Sequence, residues 1–121
     1  MYQIDLIQTI FNEIAPVFNN LSTNKNLIPE VFELHQNYPN PFNPITILRY
    51  DLPKDANVSI TIYNMMGRQV STLVSSQQNV GFKSVRWNAT NDKGASVSAG
   101  IYLYQIQAGE YISTKKMVLL K

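Results

Sequence analysis

Few residues in this sequence are of the types that do chemistry, and their spacing says what they are for. His35 is the one histidine, and there is no cysteine. Nucleophilic catalysis needs a nucleophile beside a base, with a third group orienting the base. His35 has no cysteine to act on, and no Gly-x-Ser-x-Gly elbow stands in the chain; it reads as an edge-strand side chain. Asp51 and Asp55 flank Pro53 in a strand–turn segment and read as solvated carboxylates. Asn88, Asn91 and Asp92 offer oxygens to a Ca²⁺ ion, but such sites normally take more than one carboxylate. The run Asn91-Asp92-Lys93-Gly94 reads as turn chemistry instead. There is no phosphate-binding glycine loop. Trp87, Tyr63, Tyr102 and Tyr104 are of the type that stacks on sugars, although at strand spacing such aromatics are more often core and rim. No catalytic residue, cofactor site or metal site is assigned, and an enzyme is not expected.

Two other stretches carry patterns that single residues do not. The first is Asn37, Tyr38, Pro39, Asn40, Pro41, Phe42, Asn43 and Pro44. Each proline fixes its own φ and pushes the preceding residue toward extended geometry. The asparagines are suited to bonding back onto the local backbone. The block is expected to be rigid, extended and non-helical, with Phe42 and Tyr38 pinned into the core beside it. It is either a recognition surface or a stiff lead into the next strand. The second stretch is Lys115, Lys116, Met117, Val118, Leu119, Leu120 and Lys121. Its apolar run needs a neighbouring strand and a core to cover it, so a paired strand is expected rather than a loose tail. A free edge there would let it add to another sheet. The competing reading is that edge lysines suppress aggregation.

The elements that must hold these stretches alternate with a period of two from Ile28 onward. Strands are expected over 31–35, with Phe32 and Leu34 packed, and over 45–52, ended by Pro53. Others are expected over 58–63, 68–74 and 82–88, the last with Val85 and Trp87 inward. A terminal hairpin over 100–108 and 111–120 turns at Gly109-Glu110. Short, regularly spaced strands with turn signals between them give an all-β fold, an immunoglobulin-like antiparallel sandwich of about seven strands. The first 27 residues differ. Ile4, Ile7, Ile10, Phe11 and Ile14 fit one face of a short helix ended by Pro16, and a polar run over 19–26 reads as a linker. Residues 1–27 are therefore expected to be an N-terminal segment, the end of a preceding domain, and residues 28–121 one β-sandwich domain.

Composition agrees. Among 121 residues, 45% are hydrophobic and 15% charged, apolar enough to fold and too lightly charged for the disordered class. The net charge of +2 is spread out, apart from Lys115-Lys116, which argues against nucleic acid as a partner. No apolar run approaches the roughly 20 residues of a membrane helix. Asp5, Asn12 and Glu13 interrupt the first apolar stretch, and no Lys or Arg precedes Lys25, so no signal peptide is expected in this chain.

The residues also resemble a known family. Ile28-Pro29, Phe32, Leu34 and the run from Gln36 to Pro44 resemble the beginning of the type A C-terminal sorting domain of type IX secretion cargo. The likeness continues through Arg49-Tyr50, Ile62-Tyr63-Asn64, Gly67, Trp87 and Gly100-Ile101-Tyr102, and closes on Lys116-Met117-Val118-Leu119-Leu120-Lys121. Asn88-Ala89 departs from the family's usual Asp-Gly after the tryptophan. The strand pattern is also similar to the immunoglobulin-like domain of the flagellar hook-capping protein. The first resemblance implies a module that directs a covalently attached upstream cargo through the outer-membrane translocon of the type IX system. The product would be secreted or held at the cell surface. It also implies that residues 115–121 are what the machinery reads, with 37–44 second. The alternatives are a structural immunoglobulin-like module and a carbohydrate-binding accessory module, the latter requiring exposed aromatics.

Overall fold

A computed structural model describes residues 27–121. The expected helix over 4–14 and the polar run up to residue 26 lie outside the described residues. Seven strands follow in order: β1 (Glu33–Leu34), β2 (Thr46–Leu52), β3 (Ala56–Asn64), β4 (Gln69–Gln78), β5 (Gly81–Trp87), β6 (Gly100–Ala108) and β7 (Tyr111–Leu119). They form two antiparallel sheets, β1-β2-β5 and β4-β3-β6-β7. This is the expected β-sandwich.

Alternation builds the core. Thr46, Leu48, Tyr50 and Leu52 of β2 face inward, as do Ala56, Val58, Ile60 and Ile62 of β3. Tyr102, Tyr104, Ile106 and Ala108 of β6 and Met117 and Leu119 of β7 complete the inner faces. Burying one large aliphatic or aromatic side chain stabilises the fold by about 1.5–3 kcal/mol. No single hairpin gathers enough of these to stand alone, so the strands are stable only together. Trp87 closes one end of the core, 5.8 Å from the ring of Phe42 and 5.4 Å edge-on from Tyr102. Its indole N–H donates to the Thr90 carbonyl at 2.8 Å, so the polar edge of the ring is satisfied. Val85 is partly buried against the same core.

The turns follow the residues expected to make them. Asn64 Oδ1 accepts from the N–H groups of Met66 and Arg68, and Gly67 takes φ 82°, which a side chain would resist. Asn91 Oδ1 accepts from Lys93 and Ala95 N–H in the next tight loop. The side chains considered for Ca²⁺ thus accept protein hydrogen bonds, within the loop for Asn88 and Asn91 and from β4 for Asp92. Asn88 accepts from Thr90 Oγ1 at 2.6 Å, and Asp92 from Thr72 N–H at 2.9 Å.

Most strand ends fall within two residues of expectation, and two strands and the 37–44 block differ more. β1 shrinks from five residues to two, because only Glu33 and Leu34 pair with β2. β4 runs four residues past Val74, since Ser75, Ser76, Gln77 and Gln78 pair with Ser59, Val58, Asn57 and Ala56. Backbone pairing against a buried neighbour there outweighs the low strand propensity of polar side chains. The 37–44 block is non-helical as expected, but it is a series of bends with isolated bridges at Tyr38 and Phe42, not one extended run.

Candidate recognition site

The two unusual stretches, about 70 residues apart in sequence, are joined in space. β7 is an edge strand, and its outer edge would present unpaired backbone groups. Gln36 and the 37–44 block supply partners along its C-terminal half. Phe42 N–H donates to the Val118 carbonyl at 3.0 Å, and Leu120 N–H donates to the Phe42 carbonyl at 2.8 Å. Between them, Val118 N–H donates to Asn40 Oδ1 at 3.0 Å. One turn earlier, the Gln36 side-chain amide donates to the Lys116 carbonyl at 2.8 Å. Together these contacts clasp the C-terminal half of β7, with Phe42 and Leu119 forming a parallel bridge.

The clasp stands on a buried polar frame. Asn37 and Thr46 are buried polar residues, which is tolerable only because they bond. Asn37 Nδ2 donates to Thr46 Oγ1 at 3.0 Å and to the Pro39 carbonyl at 3.2 Å, and Thr46 Oγ1 donates to that same carbonyl at 2.9 Å. Tyr104 ties this frame to β6. Its hydroxyl accepts from Asn37 N–H at 2.8 Å and donates to the His35 carbonyl at 2.7 Å. Burial pushes the Tyr104 hydroxyl up to about 12, while the bond from Asn37 pulls it the other way. Phe42, packed on Trp87, anchors the middle of the block in the core.

These contacts correct two expectations. The terminal strand is paired with β6 as expected, but its C-terminal edge is not free to add to another sheet, because Gln36 and the block already occupy the outward groups of Lys116, Val118 and Leu120. Tyr38 is not in the core: it is 74% exposed. Its N–H and carbonyl both pair with Ile47, and strand alternation turns its side chain away from the buried neighbour Asn37.

Burial sorts the remaining candidates. The side chains of Asn37, Phe42, Met117 and Leu119 are inside and hold the site together. Those of Tyr38, Pro39, Asn40, Pro41, Asn43, Pro44, Lys116, Leu120 and Lys121 are exposed, and Lys115 and Val118 are half-buried. Of the four aromatics considered for sugar stacking, Trp87, Tyr102 and Tyr104 are buried and Tyr63 is half-buried, so among the described residues these four form no exposed platform. His35 Nε2 lies 2.9 Å from Asp51 Oδ2, beside a shallow depression of about 370 Å³ on the outer face of the three-stranded sheet. Asp51 is therefore paired, and Asp55 accepts from Val80 N–H at 2.8 Å; neither is simply solvated. No local signal in the sequence assigns Tyr104, Thr46 or Gln36 to this frame. A tyrosine at an inward strand position carries no local sign that its hydroxyl will serve a segment 67 residues away.

Comparison with known proteins bears directly on this arrangement. Residues 36–120 match the family described as the secretion system C-terminal sorting domain. The chain belongs to that family. The match begins at Gln36 and ends at Leu120, both of which take part in the clasp. The sorting domain is similar to part of dimeric latent PorU from Porphyromonas gingivalis, with 25% identity and a TM-score of 0.60 over 76% of this chain and 9% of that one. It shares its fold with part of PorZ, a surface component of the type IX secretion system of the same organism. There the identity is 20% and the TM-score 0.50, over 73% of this chain and 11% of that one. The chain thus spans about a tenth of the length of these structures. No curated protein matches the sequence. The family is the C-terminal sorting signal of the type IX system and is non-catalytic as a module.

Proposed function

We propose that residues 28–121 carry the address of a covalently attached upstream cargo and deliver it to the type IX outer-membrane machinery, the product being secreted or held at the cell surface. The supporting observation is the clasp: the sorting family's match runs from one of its partners to the other. The recognition element is then a composite of the exposed faces of the 37–44 block and of Lys116, Leu120 and Lys121. Phe42, Met117 and Leu119 act as its internal scaffold. The domain itself turns over no substrate.

Removing residues 115–121 is a poor test, because it deletes the buried Met117 and Leu119 and the pairing partners of Gly100 to Tyr104. A better one fuses the whole chain behind a fluorescent protein with a general secretory signal. The fusion is expressed in a bacterium with a type IX system and in the same strain lacking the translocon. A known sorting domain serves as the positive control. The reading expects reporter at the surface or in the medium only when the translocon is present. Retention in the periplasm of both strains, with the control exported, would count against it.

A further inference from the structure

The charges of this domain are sorted to opposite ends. The two ends are fixed by the strand registers. At one end the chain leads into β1, where Phe32 stacks on Tyr111 at 5.4 Å beside the β2–β3 and β6–β7 turns. Among the described residues Glu30, Glu33, Asp51, Asp55 and Glu110 lie there, against two cations, Lys54 and the half-buried Lys83. At the other end stand the clasp, the 64–68 turn and the 88–99 loop. Arg68, Arg86, Lys93, Lys116 and Lys121 lie there, all exposed, against one side-chain carboxylate among the described residues, Asp92, which is occupied by Thr72 N–H. Among the described residues none of these five cations is in a salt bridge. The small overall net charge conceals this separation.

The separation is large enough to matter. Strands β6 and β7 have nine residues each and reach about 30 Å end to end at ~3.3 Å per residue, and Lys116, inside β7, stands about 20 Å along the chain from Glu110. Even the shorter distance is more than twice the Debye length of about 8 Å at physiological salt. The acidic end therefore does not cancel the field of the basic end. The basic end also exposes apolar side chains: Tyr38 at 74%, Met66 at 75%, Met65 at 61% and Leu120 at 51%. Arg, Tyr and Met are the types enriched in protein interfaces. Cations ringing exposed Tyr and Met residues fit a protein surface bearing carboxylates.

We propose that the clasp end docks, basic face first, on a carboxylate-rich protein surface of the machinery that receives it, while the upstream chain leaves from the acidic end. This rests on the sorting function proposed above and names the chemistry of its partner. Electrostatic complementarity of this kind steers encounter and rejects like-charged surfaces.

The experiment uses the full chain as the tail of the reporter fusion. Arg68→Glu/Lys93→Glu/Lys116→Glu changes three exposed side chains and should leave the circular dichroism spectrum unchanged. Its exported fraction should fall roughly tenfold or more. The neutral variant Arg68→Gln/Lys93→Gln/Lys116→Gln should fall less. Reversal at the other end, Glu30→Lys/Glu33→Lys/Glu110→Lys, should leave export within about twofold. Wild-type export from a folded triple-glutamate variant would overturn the docking inference alone. A wild-type fusion that is not exported beside an exported control would overturn the sorting reading on which it rests. Binding of the purified chain is also measured on vesicles of phosphatidylcholine, alone or mixed with phosphatidylglycerol. The inference expects neither to bind. Tight binding to the anionic vesicles that the triple-glutamate variant loses would assign the basic end to a membrane and overturn the protein partner.

Discussion

The two edges of the four-stranded sheet are closed by the same chemistry over very different distances. On β4, Asp92 takes the outward N–H of Thr72 from a loop 20 residues away, and Asp92 N–H donates to the Val70 carbonyl at 3.1 Å. Two bulges in the pairing of β4 with β3 add local twist. On β7, Asn40 takes the outward N–H of Val118 from 78 residues away, and Phe42 adds two backbone bonds. On each edge a side-chain oxygen and neighbouring backbone groups cover part of the strand. The long-range version does something more: it makes the beginning and the end of the domain one surface. That is why the β7 edge, and not the β4 edge, is assigned a function.

The difference can be broken most severely at the clasp's anchor. Phe42→Ala removes a buried ring packed on Trp87 and should destabilise the domain by about 3–5 kcal/mol in denaturant titration. No substitution in the 91–94 loop should approach that cost. Next comes Tyr104, which braces the clasp and has no counterpart beside β4. Tyr104→Phe leaves the buried Asn37 N–H and His35 carbonyl without their partner and should cost about 1–3 kcal/mol. It should also change the alkaline limb of stability. The folded hydroxyl stays protonated up to about 12, whereas the unfolded one ionises near its ordinary value of 10.0. Its contribution is therefore fully present below pH 10 and lost as pH rises from there toward 12. Tyr50, also raised by burial, acts in the same direction, so the variant should flatten only part of the decline seen in urea midpoints.

A closer comparison sets Asn40→Ala against Asp92→Ala. Each frees one exposed edge N–H, and each should cost about 1 kcal/mol. Their consequences should separate. Hydrogen exchange should speed up at Val118 in the first variant and at Thr72 in the second, and only the first should lower export. The smallest effect is expected at Ala89, which lies in the loop that seals β4 and holds φ 62°. Ala89→Gly relieves about 1–2 kcal/mol of left-handed strain. It adds about 0.5–1 kcal/mol of backbone entropy cost and exposes the space of a buried methyl worth about 0.8 kcal/mol. The melting transition should show a net change within about 1 kcal/mol of zero.

Local patterns in the sequence carried most of the fold. The terminal hairpin, with its break at Gly109-Glu110, was legible because alternation and a glycine turn coincide there. The polar end of β4 was not, since Ser75 to Gln78 become strand only by pairing with β3. The site was legible in halves. Prolines and asparagines marked the 37–44 block, and an apolar run marked β7. Nothing local joins them, and Asn40 illustrates why. Asparagines in such a block are expected to bond nearby backbone, as Asn37 does with Pro39, yet Asn40 reaches Val118. Tyr38 departs from expectation for a related reason: its direction is set by a bridge to Ile47 and not by its hydrophobicity.

The central claim is that the block and the terminal strand act as one recognition element. It is tested most directly by the exported fraction of a reporter carrying Gln36→Ala/Asn40→Ala, beside the wild type, in a host with the type IX system. The substitutions release two clasp bonds while leaving Phe42, Met117 and Leu119 in the core. A folded variant whose Val118 amide exchanges faster and whose export falls severalfold is the predicted result. Undiminished export from a variant with that same loss of protection would contradict it.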